Sequence, residues 1–286
     1  MKKYLSLVLF AHTIFAMPFA FIGFFLAINT TNHSFSFKKL VFVIMCMVFA
    51  RNAAMAFNRY LDRNFDAINP RTAQRDLPAG RIPAKNALLF TLVNCLLFVL
   101  TAFFINKLCF YLSPAALAVI LGYSYTKRFT PLCHLVLGAG LGLAPLGAYL
   151  AVTGEFAILP VCFALAVLCW VAGFDIIYAL LDDEFDKQHN LFSIPAVFGR
   201  KKALLVSTLL HCACVIFIIY PAIYAHLGYF YFAGIVFFIG LLIYQHRLVS
   251  PHDLSKVNLA FGTTNGIASV IFAVFFLLDV YFKSKL

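Results

Sequence analysis

The chain is poor in charge. Asp, Glu, Lys and Arg make up 12% of its 286 residues, where a soluble domain carries about 25%. Acidic residues are scarcest, eleven against twenty-two Lys plus Arg, and tryptophan occurs once. No CxxC, HExxH or HxxxH spacing is present, which argues against thiolate and histidine zinc sites. No stretch rich in Pro, Gly or Ser divides the sequence, so a single domain over 1–286 is predicted. The eight cysteines fall in or at the ends of apolar runs and read as packing residues rather than a disulfide framework.

What is abundant is apolar sequence. Hydrophobic residues reach 63%, with 34 Phe, and mean hydropathy is +0.93. A membrane-spanning helix needs about 20 mostly apolar residues. Nine runs qualify: 4–27, 40–57, 86–105, 108–125, 132–152, 157–181, 203–221, 228–245 and 257–280. The expectation is an all-α, polytopic membrane protein. The first run follows Lys2 and Lys3 but exceeds the apolar core of a signal peptide, so it reads as a retained helix. With nine crossings, sixteen Lys and Arg fall on the side of the N-terminus and five on the other, with Arg51 inside a span. The positive-inside bias makes the richer side cytoplasmic, as expected of a multi-pass protein of the inner (cytoplasmic) membrane. The net charge of +11 then reads as orientation and contact with anionic lipid of the bilayer, with no nucleic-acid partner required.

Eight of the eleven carboxylates sit in two short stretches. Asn58, Asp62 and Asp66 are spaced i, i+4, i+8 at the cytoplasmic end of the second span, so a helix stacks them on one face. Asp175, Tyr178, Asp182 and Asp186, at the end of the sixth span, also share a face, while Asp183 and Glu184 point elsewhere. The two stretches emerge on the same side. Ionisable groups at membrane depth are costly and suggest function. Two carboxylate faces repel unless a cation lies between them, and hard oxygen ligands suit Mg²⁺, which completes its shell with water and phosphate oxygens. The plainer alternative is a set of solvated helix ends paired with Arg59 and Arg63. Arg51 lies about two turns deeper, on nearly the face of Asn58, and reads either as a snorkelling cation or as an anion-binding group. The 69–81 loop adds Arg71, and the next boundary adds Lys127 and Arg128, cations able to hold phosphate.

Together these residues resemble the UbiA superfamily of intramembrane prenyltransferases, which carries Asn-x-x-x-Asp-x-x-x-Asp after its second helix and Asp-x-x-Tyr-x-x-x-Asp-x-x-x-Asp after its sixth. Both patterns are complete, and the resemblance covers nearly the whole chain. Supporting matches run from His12 and Thr13 to Met17, Pro18 and Phe19, and include Asn69-Pro70-Arg71-Thr72 and Tyr125-Thr126-Lys127-Arg128. The resemblance implies a nine-helix bundle around a central cavity and transfer of a polyprenyl group from polyprenyl diphosphate to an aromatic acceptor. Asn58, Asp62, Asp66, Asp182 and Asp186 would hold Mg²⁺ against the diphosphate, with Arg51, Arg63, Arg71, Lys127 and Arg128 as substrate contacts. Asp175 and Tyr178, which lie deeper, would orient the acceptor or take its ring proton; alternatively, Asp175 pairs with Arg51. Ala56–Arg59, Asp76–Gly80 and Tyr125–Thr130 are similar to 4-hydroxybenzoate polyprenyltransferases of ubiquinone synthesis. Tyr178–Asp186 and Ser193–Gly199 are also similar to a branch acting on the aromatic intermediate of the futalosine route to menaquinone. The rival class is a transporter, which would place broken helices and charges near the bilayer midplane rather than at one interface.

Overall fold

The computed structural model describes residues 15–283, all of whose regular elements are helical. They are α1 (Met17–Thr30), α2 (Phe37–Ile68), α3 (Ala84–Ile105), α4 (Lys107–Thr126), α5 (Cys133–Thr153), α6 (Ile158–Ala179), the short α7 (Asp183–Gln188) and α8 (Ile194–Phe198), α9 (Arg200–Tyr224), α10 (Tyr229–Leu248) and α11 (Asn265–Lys283). Eight spans are long and apolar enough to cross a membrane, and α1 is a shorter apolar helix of 14 residues at the place of the first expected crossing. Lys2, Lys3, His12 and Thr13, on which part of that first crossing rests, lie outside the described residues. The protein is an integral membrane protein. Its lipid-facing surface carries Leu89, Leu96, Phe103, Ile216, Ile223 and Val236, all exposed.

The helices close into a ring. α2 packs on α3, α3 on α4, α4 on α5, α5 on α6, α6 on α9, α9 on α10, α10 on α11, and α11 returns to α1, which also touches α2 and α5. In lipid, apolar burial does not drive helices together, and small residues that let backbones approach take its place. Gly138 and Gly142, one turn apart on α5, do this against α6: a Cβ on them would lie 2.3 Å from the Leu168 carbonyl oxygen and 2.6 Å from that of Ala164. Gly23 on α1 meets the Pro145 carbonyl as closely. An aromatic cluster surrounds the single tryptophan, Trp170, whose ring lies 5.1–5.8 Å from those of Phe19, Phe174 and Phe238.

Two departures from regular helix bear on the site. α6 ends at Ala179, and a tightened turn at Leu180–Asp182 joins it to α7. A turn of π-helix, Leu259–Thr264, precedes α11. Such turns free backbone carbonyls. Asn265 takes up two of them, donating Nδ2 to Ala260 O at 3.0 Å and Phe261 O at 2.9 Å, while its Oδ1 accepts from Trp170 Nε1 at 3.0 Å. Asn258, seven residues earlier, is exposed. Away from the two clusters, Asp279 accepts from the backbone of Gly228 and Tyr231 at the start of α10, and Asp253 accepts from Ser255.

Candidate active site

At about 1.5 Å per residue the 32-residue α2 is about 48 Å long, against about 30 Å of hydrocarbon. Its last turns therefore have length to spare for carrying Asn58, Asp62 and Asp66 to an interface. The three line one wall of a cavity of about 620 Å³ inside the helix ring. Asp175, Tyr178, Asp182 and Asp186 line the opposing wall. The tightened turn at Leu180–Asp182 shifts the helical period by less than one residue, so the expected shared face survives a break in the helix. Asp183 and Glu184 turn away to Arg200, which donates Nε and Nη2 to Asp183 at 2.7 and 2.9 Å.

The two walls are tied by cations from the loops between helices. Asn69 stops α2, its side-chain carbonyl accepts from Arg71 N at 3.0 Å, and its Nδ2 donates to Asp182 Oδ1 at 3.0 Å. That turn aims Arg71 across the cavity mouth. Its Nε donates to Asp182 Oδ1 at 2.9 Å, its Nη2 to Asp182 Oδ2, and its Nη1 to the Tyr178 hydroxyl at 2.8 Å. Burial disfavours the charged guanidinium, but its bonds to Asp182 and Tyr178 outweigh that and hold the pKa of Arg71 above the ordinary arginine value. Arg75 donates to Asp66 Oδ1 at 2.6 Å, and Arg128 to Asp62 Oδ1 at 2.9 Å. Lys127 Nζ stands 3.6 Å from Asp186 Oδ1 and is also an electrostatic neighbour of Asp62 and Asp182.

These pairs do not use every ligand. Among the described residues, Asp66 Oδ2 is buried with no hydrogen-bond partner, and Asp186 Oδ1 is buried beside Lys127 Nζ at 3.6 Å, beyond hydrogen-bond length. Buried carboxylate oxygens left open toward a shared space fit a hard divalent cation. Among the described residues no group of three His, Cys, Asp or Glu side chains gathers closely enough to hold a metal alone. That agrees with a donor set in which each ion takes one or two protein carboxylates and the substrate supplies the rest.

Deeper in, Arg51 lines the cavity with its Nε buried and without a partner among the described residues, on the wall of Asn58 as its spacing predicts. Asp175 bonds to His134 Nδ1 at 2.7 Å, so its partner is this histidine rather than Arg51. The ring of Tyr178 stacks on Phe261 of the π-turn at 4.1 Å. Two expected contacts, Arg63 and Arg128, are not among the lining residues. Arg63 folds back on its own helix, donating to Tyr60 O at 2.6 Å and covering the Tyr60 ring, because its position on α2 faces away from the cavity. Arg128 reaches the site only by backing Asp62 from outside the lining. Arg59, read from the sequence as a helix-end partner of the carboxylates, lines the cavity, as do Arg75, Ser193, His134 and Phe261, to which the sequence assigns no site role. Only Arg75, in the turn-forming loop of guanidinium groups, carries a signal that could have found it.

The model of the UbiA prenyltransferase family matches residues 16–277. The chain belongs to the UbiA prenyltransferase family. It is 32% identical to the 4-hydroxybenzoate octaprenyltransferase of Tolumonas auensis over 238 residues, 83% of either chain. It is also 32% identical to that of Photobacterium profundum, over 82% of this chain and 81% of the relative. Among solved structures, a UbiA homolog from Aeropyrum pernix K1 superposes with a TM-score of 0.81 at 29% identity, covering 96% of this chain and 98% of that one. A UbiA homolog from Archaeoglobus fulgidus, solved with GPP and Mg²⁺, shares the fold with a TM-score of 0.73 at 23% identity, covering 98% and 99%. UbiA membership makes the chain a membrane-embedded prenyltransferase.

Proposed function

We propose that this protein transfers a polyprenyl group from polyprenyl diphosphate to an aromatic acceptor, 4-hydroxybenzoate, in respiratory quinone biosynthesis, with Mg²⁺ as cofactor. The observation that carries the reading is the convergence of two carboxylate walls and their loop cations at one mouth of a cavity whose interior is apolar. Asn58, Asp62, Asp66, Asp182 and Asp186 are the residues to hold Mg²⁺, supported by the unpartnered Oδ2 of Asp66 and by the cavity that all five line. The ion neutralises negative charge on the departing diphosphate. Arg71 and Lys127, already at the mouth, hold the phosphate oxygens, and Arg128 supports Asp62. Arg51 takes an anionic group deeper in, the acceptor carboxylate. The motif loops face the cytoplasm of the inner membrane, on the strength of the basic-residue asymmetry.

In the chemistry, the allylic C–O bond breaks with its electron pair leaving on the diphosphate. The acceptor ring carbon then forms a bond to the allylic carbon, and as the ring proton passes to Asp175 the electron pair of the broken ring C–H bond restores aromaticity. Tyr178, fixed by Arg71 and Phe261, supplies an aromatic surface beside this path. The relatives' names favour 4-hydroxybenzoate. The stretches 178–186 and 193–199 support a second reading, the aromatic intermediate of the futalosine route. Purified protein given one polyprenyl diphosphate, Mg²⁺ and both acceptors decides between them. Prenylated 4-hydroxybenzoate is the expected product; product from the other acceptor alone would replace the substrate but keep the reaction.

A further inference from the structure

Asp175 is half of a pair. Its Oδ2 meets His134 Nδ1 at 2.7 Å, its Oδ1 makes no hydrogen bond with the described residues, and its side chain lines the cavity. His134 is 2% exposed and stands in the first turn of α5. Its other ring nitrogen, Nε2, faces the backbone N–H of Ile194 at 3.3 Å. A backbone N–H can only donate, so Nε2 accepts and the proton of the neutral ring sits on Nδ1, directed at Asp175. Ile194 is itself fixed, because it opens α8, whose N-cap Ser193 accepts from Ala196 N. Three separate elements thus set the tautomer of one histidine and the orientation of one carboxylate.

We propose that His134 is a positioning residue for the aromatic acceptor's half of the reaction. Its Nδ1–H holds Oδ2 of Asp175 so that the anionic Oδ1 faces the cavity as the proton acceptor. The proposal rests on the reading above that Asp175 receives the ring proton. In this role His134 acts through Asp175 and takes no proton itself. The hydrogen bond restricts the rotamer of the carboxylate, which matters because a base works only within reach of the proton it removes. The diphosphate half of the site, built from Asp62, Asp66, Asp182 and Asp186, is not bonded to this pair.

The experiment compares His134→Leu, His134→Gln, Asp175→Asn and the double variant His134→Leu/Asp175→Asn as purified full-length protein, with saturating acceptor and varied polyprenyl diphosphate. Leucine removes the donor; glutamine keeps an N–H of similar reach. The expected result is a fall in kcat of about 10- to 100-fold for His134→Leu with the KM for diphosphate within about twofold of native. His134→Gln recovers most of that loss, and His134→Leu adds little to Asp175→Asn, since a coupled pair is not additive. Native kcat in His134→Leu, full additivity, or equal change in kcat and diphosphate KM would overturn the proposal. Full activity of Asp175→Asn would overturn the reading it rests on as well, whereas an inactive Asp175→Asn beside a native-like His134→Leu removes the histidine alone. A second measurement does not depend on leucine folding. Side-chain ¹⁵N shifts of native protein in lipid, assigned by their loss in His134→Gln, should show a protonated Nδ1 and a bare Nε2. The opposite tautomer or an imidazolium at neutral pH would overturn the proposal.

Discussion

Arg71 and Asp182, 111 residues apart in sequence, lie face to face with two guanidinium nitrogens on the two carboxylate oxygens. The pair joins the loop after α2 to the end of α6 and closes the mouth of the cavity. It also stores, next to a carboxylate, the charge that a diphosphate requires. Arg71→Ala should therefore raise the KM for polyprenyl diphosphate by about 10-fold or more, and Arg71→Lys should recover little, because an ammonium cannot span two oxygens. Steady-state kinetics at fixed acceptor test this; a native KM in Arg71→Ala would remove Arg71 from the diphosphate site.

Arg63 supplies the contrast. It is one residue from Asp62 and carries the same charge as Arg71, yet it covers Tyr60 and does not line the cavity. Arg63→Ala should leave kcat and the KM for diphosphate within about twofold of native, since its guanidinium is spent on Tyr60 outside the cavity lining. Arg75→Ala, which strips Asp66 of its partner, should lower kcat/KM by about 10-fold in the same assay.

The carboxylates themselves make the strongest test. Asp62→Ala or Asp182→Ala should lower prenyl transfer by about 100-fold or more while the protein still inserts and elutes as native by size exclusion. Chelation of divalent cations should do the same to the native protein, reversed by adding Mg²⁺. Activity that survives EDTA would sink the metal reading, whatever the alanine variants show.

How much of this site the sequence discloses depends on whether a residue's neighbours lie along one helix or across the fold. Asn58, Asp62 and Asp66 can be placed on one face because the helical period alone decides it, and the same holds for Arg51 two turns below. The period also carries Asp175, Tyr178, Asp182 and Asp186 through a tightened turn. It also turns Arg63 off that face, because one residue along a helix is a rotation of about 100° from Asp62. It is silent on His134, a lone histidine in an apolar run whose partner lies 41 residues away. The π-turn at Leu259–Thr264 is equally hidden. Its cause is the side chain of Asn265, and a single polar residue in a span is as compatible with a contact between regular helices. The eight long spans are legible from length and apolarity. The close seam of α5 on α6 is present as Gly138 and Gly142, but only the backbone positions show which helix they meet.

That hidden asparagine gives the last prediction. Asn265 is wholly buried, and its amide satisfies two π-turn carbonyls and the indole N–H of Trp170 at once. Asn265→Ala leaves all three without it, and an unsatisfied buried polar group costs about 1–3 kcal/mol. Trp170→Phe removes the donor and leaves only Asn265 Oδ1 short of a partner, while keeping an aromatic ring among Phe19, Phe174 and Phe238. Thermal unfolding in detergent should therefore place Asn265→Ala below Trp170→Phe, with both below native. Because Phe261 is carried on the same π-turn and stacks on Tyr178, Asn265→Ala should also lower kcat at temperatures where the protein remains folded. A variant that loses stability but keeps native kcat would show that the π-turn serves the fold without setting the position of Tyr178.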